Sequence, residues 1–79
     1  MTERNAQEEL KAHLMATNEE FRQAAARHSE LAKQLDTLEA RPHLTDQEQM
    51  EEVRLKKMKL RLKDQMEAIA SQFRSQQVA

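Results

Sequence analysis

Residues 39–48, EARPHLTDQE, carry the only proline of a 79-residue chain that has no glycine. How they are read decides the fold. Proline disfavours helical geometry at the residue before it, here Arg41, while Thr45 offers a side-chain oxygen to the free amides that open a helix. Glu48 stands three residues after Thr45, the spacing of a capping box, and Asp46 adds negative charge where the helix dipole favours it. One helix therefore ends near residue 40 and another starts near residue 46, with a turn over about 41–45.

Upstream of this turn the apolar positions step by four and three: Leu10, Leu14, Thr17, Phe21, Ala24, His28, Leu31, Leu35, Leu38. This heptad seam predicts a first helix over about residues 3–40, roughly 55 Å long, whose one face stays turned toward a partner helix. Downstream, Leu55, Met58 or Lys59, Leu62, Met66, Ile69 and Phe73 repeat the spacing and predict a second helix over about 46–75. A rod with one apolar seam has no core of its own, and a short connection returns the second helix along the first. The expected fold is all-α: an antiparallel helical hairpin, coiled-coil-like, forming a single domain over residues 1–79. Equal rise per residue sets residues whose numbers sum to about 85 at similar heights, pairing Leu14 with Phe73, Phe21 with Met66 and Ala24 with Leu62. The helix-pairing seam is then Leu14, Phe21, Ala24, His28, Leu31, Leu35, Leu55, Leu62, Met66, Ile69 and Phe73.

The composition agrees. Without glycine, with aromatic residues at 3% and charged residues at 34%, the chain has the profile of long helices and not of strands joined by tight turns. A chain this short buries a small fraction of its surface, so self-association is expected. The stretch VRLKKMKLRLKDQM, residues 53–66, shows where. Its leucines look strand-like at first, but Leu60 lies seven residues after Val53, and together they form a thin second apolar stripe almost opposite the Leu55 and Leu62 seam. Val53 and Leu60 are the candidate second interface, and a homodimer in the form of a four-helix bundle is its simplest use.

The same stretch contains Arg54, Lys56, Lys57, Lys59, Arg61 and Lys63 with no acid between them, although the formal net charge is only -1. Lysine and arginine stems cover apolar flanks while their heads stay hydrated, and Glu19, Glu20, Glu30, Asp36, Glu39, Glu51 and Glu52 are available to set helix register by pairing. Asp64 is expected to pair with Lys57, Arg61 or an opposing basic residue. The other reading is a polyanion contact through the six cations. Tyr and Trp are absent for base stacking, so RNA or DNA binding of this kind would be weak and insensitive to sequence. A membrane-surface helix needs one broad apolar face, and here the apolar residues lie on two.

These residues, VRLKKMKLRLKDQM together with FRQAAARHSELAKQLDTLE (residues 21–39), resemble the YdcH-like family of small bacterial proteins, a domain of unknown function. The matching positions include Phe21, His28, Leu31, Leu55, Lys56, Lys57, Lys59, Leu60, Leu62, Lys63 and Asp64. The resemblance implies a short cytoplasmic helical hairpin with no assigned activity. Two positions depart from the family pattern: Ala32 stands where Asp is usual, and Met58 replaces a polar residue between lysines.

No residue set supports catalysis. There is no glycine for a phosphate loop, no nucleophile beside a base, and adjacent carboxylates such as Glu19 and Glu20 point in different directions around a helix. His13, His28 and His43 are spaced so that neighbours lie about 22 Å apart along a helix, too far to share a metal, and there is no Cys. His28 reads as a polar seam residue that sets register. No cofactor, metal or small-molecule substrate is expected, and the chain is not expected to be an enzyme. The first twenty residues contain no signal-peptide pattern, and cytoplasmic localisation is the expectation. Two functions stay open: a helical-hairpin interaction protein that meets its own copy or another protein, and a nucleic-acid-associated accessory protein.

Overall fold

The structure is a computed structural model that describes residues 6–78, with side chains described over 8–76. The described residues form three α-helices: α1 (Ala6–Thr17), α2 (Glu19–Glu39) and α3 (Asp46–Val78). No strand occurs among them. The longest dimension, 51 Å, is close to the length expected of α3 alone, about 50 Å.

The single first helix expected over residues 3–40 is divided at Asn18. This residue leaves helical geometry, with φ -118° and ψ 113°, and its side-chain oxygen accepts a hydrogen bond from the Phe21 amide at 2.7 Å. Asn is among the strongest N-cap residues, and Glu19 and Glu20 follow it in the first turn, where the dipole of a new helix favours anions. The backbone ladder is nearly continuous across the break: the Asn18 amide donates to the Leu14 carbonyl at 2.8 Å and its carbonyl accepts from the Arg22 amide at 3.0 Å. Arg22 closes the joint from the other side. Its guanidinium donates to the Met15 carbonyl at 3.2 Å and also pairs with Glu19, so a carbonyl at the end of α1 gains a partner it would lack in an uncapped helix.

Because one residue alone leaves the helix, the seam continues past it. Leu14, Phe21, Ala24, Leu31 and Leu35 are buried, while Leu10, His28 and Leu38 are half-buried. Thr17, expected in the seam, is instead exposed at the last position of α1, where its hydroxyl donates to the His13 carbonyl at 2.9 Å.

The turn forms as its residues dictate. The Glu48 amide donates to Thr45 Oγ1 at 3.1 Å and the Thr45 amide donates to Glu48 Oε1 at 2.9 Å, a reciprocal capping box. That amide, with the Arg41 guanidinium that pairs across the turn, holds the Glu48 carboxyl below its ordinary range. The second helix, α3, then runs to Val78, past the expected end near 75.

Leu31 and Leu35 of α2 meet Leu55 of α3 in the buried core, and Leu38, Met58 and Leu62 pack against that cluster. Farther from the turn, the Gln65 side-chain amide donates to Glu20 Oε2 at 3.3 Å, a pair at the height relation expected from equal helical rise. Farther still, the rings of Phe73 and His13 lie 5.0 Å apart. The contacts thus step toward the C-terminus on α3 as they step toward the N-terminus on α2 and α1.

Candidate interaction surface

The face of α3 turned away from α2 leaves large apolar side chains in water. Met50 is 72% exposed, Val53 51% and Leu60 57%. Met50 was absent from the stripe read in the sequence, although it stands three residues before Val53 and seven before Lys57, so the three-and-four spacing already contained it. Met66, Ile69 and Phe73, by contrast, are half-buried, as are Met58 and Lys59. Phe21 of α2 and Met66 of α3 line a shared groove, together with Leu10 and Lys11 of α1 and Lys63, Ala70 and Arg74 of α3.

The six cations have different surroundings. Arg54 grips Glu51 with two bonds, from Nε at 3.1 Å and from a terminal nitrogen at 2.7 Å, and reaches Met58 Sδ at 3.4 Å. The bond from Arg54 holds the Glu51 carboxyl below its ordinary range. Lys56 lies 3.4 Å from Glu39 of α2 and 3.8 Å from Glu52 of its own helix. Among the described residues Lys57, Lys59, Arg61 and Lys63 make no ion pair. Asp64, expected to pair with Lys57, Arg61 or an opposing base, makes none either. Lys57 is two full turns away along the helix, about 10 Å, and Arg61, although only three residues before Asp64, makes no bond to it.

His28 is half-buried on the seam side of α2. Burial pushes its pKa below the ordinary value, and the charges of Lys59 and Lys63 on α3 and Lys11 on α1 push in the same direction. The neutral imidazole is therefore the form this environment favours. Among the described residues no group of three or more His, Asp or Glu could hold a metal ion, and no helix is long and apolar enough to cross a membrane.

Only some of these features fall within the stretch that matches a known family, because α1 precedes it. Residues 21–70 match a family described as a protein of unknown function, DUF465. The match runs from Phe21, the first buried residue of α2, to Ala70 in the last third of α3, and it covers more than half of the chain. The chain belongs to the DUF465 family. It matches no curated protein and no solved structure.

Proposed function

We propose that this DUF465 chain is a non-enzymatic interaction protein whose working parts are helical faces. In this reading α2 and α3 form an antiparallel, coiled-coil-like hairpin, and the outer face of α3 meets a second copy or a protein partner. The observation that carries it is the exposed apolar stripe of Met50, Val53 and Leu60, on the helix face opposite the one that covers the core. Side chains of this size leave water favourably when a complementary surface is offered, at about 25 cal/mol per Å² of apolar area. A homodimer, which the sequence leads one to expect as a four-helix bundle, satisfies that demand with no other component. The likeness to YdcH-like proteins supports the same picture of a small cytoplasmic hairpin.

Sedimentation equilibrium over a concentration series tests the reading. A mass that rises from one chain to two supports self-association; a single folded chain at micromolar concentration overturns it.

A second reading rests on Lys57, Lys59, Arg61 and Lys63, which make no ion pair among the described residues. In this reading they contact phosphates of RNA or DNA. Binding that falls steeply with salt and disappears on charge reversal, with helicity unchanged, supports it. Equal affinity for the parent and the reversed chain overturns it.

A further inference from the structure

From Met50 to Asp64 the outer stripe of α3 is a second heptad, and it contains two charges. Met50, Val53, Lys57, Leu60 and Asp64 step by three and four along one face. Met50, Val53 and Leu60 are exposed. Lys57 and Asp64 are exposed too, and neither makes an ion pair among the described residues. A lysine and an aspartate seven residues apart on an otherwise apolar line cannot reach each other within the helix, since they are about 10 Å apart. Across a two-fold axis they can.

We propose that two copies of the chain pair through the outer faces of α3, antiparallel, with Lys57 of each copy opposite Asp64 of the other and Leu60 beside the axis. This rests on the self-association reading above and gives it a register. In it, residues of the two copies whose numbers sum to about 121 lie at one height.

Three features favour this register over its neighbours. A shift by one heptad toward the N-terminus sets Lys57 against its own copy, and the opposite shift sets Asp64 against its own copy; either one opposes like charges. The proposed register pairs opposite charges twice, as an isologous interface requires. It also brings Met50 and Val53 over Ala68 and Ser71 of the second copy, where large side chains meet small ones. Finally, α3 spans Asp46–Val78, so its midpoint lies near the axis and the two helices overlap along nearly their full length. Arg61 meets its copy at the rim, with the Asp64 carboxylates three residues away to offset it. Because this face lies opposite the core, the two α3 helices stand in the middle, with α1 and α2 of each copy on the outside.

The test uses charge exchange in the full chain, read by sedimentation equilibrium with circular dichroism to confirm helicity. K57D alone and D64K alone each weaken dimerisation at least about tenfold, and the double variant K57D/D64K restores it to within about threefold. A second measurement exploits the absence of Cys. Leu60→Cys cross-links into a covalent dimer on mild oxidation, whereas Val53→Cys does not, because in this register its two copies stand about 22 Å apart in height and a disulfide needs Cα atoms within about 7 Å. A parent dimer whose double variant stays weak, or whose Val53→Cys form cross-links as readily as Leu60→Cys, overturns the register and leaves self-association standing. A parent that stays monomeric overturns both.

Discussion

Truncating Leu31 separates the face that makes the core from the face that does not. Leu31 is 1% exposed and meets Leu35 and Leu55, each 3% exposed. Leu→Ala at such a site costs about 2–5 kcal/mol, the lost transfer energy plus the cavity left behind. Two helices can close on a cavity more readily than a large domain can, so the lower part of that range applies, about 2–3 kcal/mol. At roughly 0.05–0.15 kcal/mol per residue, a chain of 79 residues holds about 4–12 kcal/mol in all. The variant therefore loses a large share of its stability, and its melting temperature falls by about 8–24 °C at about 4–8 °C per kcal/mol for a domain of this size. Leu60→Ala is the comparison. Leu60 is 57% exposed, so in the monomer its truncation changes stability by less than about 0.5 kcal/mol. Thermal melts followed by far-UV circular dichroism, at a concentration where sedimentation shows one chain, measure both. Equal losses, or a larger loss for Leu60→Ala, refute the assignment of the core to the inner face of α3.

Thr45→Ala removes one half of the capping box and costs about 1 kcal/mol in urea unfolding, whereas an exposed Thr→Ala change elsewhere costs little; no loss means that the box does not hold the turn. Asn18→Ala removes the acceptor for the Phe21 amide, so hydrogen exchange at that amide accelerates at least about fivefold, and an unchanged rate shows that the cap is not what protects it. His28, lowered by burial and by Lys59, Lys11 and Lys63, binds a proton less readily in the folded chain than in the unfolded one. Its contribution to stability is therefore full above its ordinary pKa of 6.5 and is lost as pH falls below it, so the melting temperature drops from pH 8 to about pH 5 and His28→Leu flattens that drop; equal drops in the two proteins remove the idea.

Most of the helical plan was legible because it rests on local chemistry. Pro42 stops a helix, Thr45 and Glu48 start one, and the three-and-four spacing of Leu14, Phe21, Leu31 and Leu55 marks what is buried. Asn18 was legible in principle, but the sequence reading did not pick it out. Its cap signal, Asn followed by two glutamates, lies inside a heptad run that reads as unbroken, and a period count is blind to one residue leaving the helix when the register on either side is kept. Asp64 failed for another reason. A spacing of three or four predicts which charges can meet, but whether they do depends on rotamers and on the neighbours across the helix pair, and Arg54 chose Glu51 while Asp64 found no base. Which of the two apolar stripes would be covered inside the chain was also a tertiary matter: Val53 and Leu55 differ little in hydrophobicity, and the packing of α2 decided between them.

The packing also changes what the basic stretch can do. Six cations in sequence look like one patch, but each successive residue turns about 100° around the helix, so consecutive charges leave in different directions. Arg54 folds back on Glu51, Lys56 leans toward Glu39 of α2, Lys59 is half-buried, and Lys63 lines the groove beside α1. That leaves Lys57 and Arg61, four residues apart, on one outward face. A duplex following that face meets these two cations, not six. Each neutralised phosphate contributes about -0.9 to the slope of log affinity against log salt concentration, so the expected slope is about -2, where a six-cation patch would give about -5. Lys57 lies in the outer stripe of α3 and Arg61 on its rim, so in the proposed dimer nucleic acid and self-association compete for them. If both occur, adding salt-sensitive polyanion dissociates the dimer, and the two activities cannot be read independently of each other.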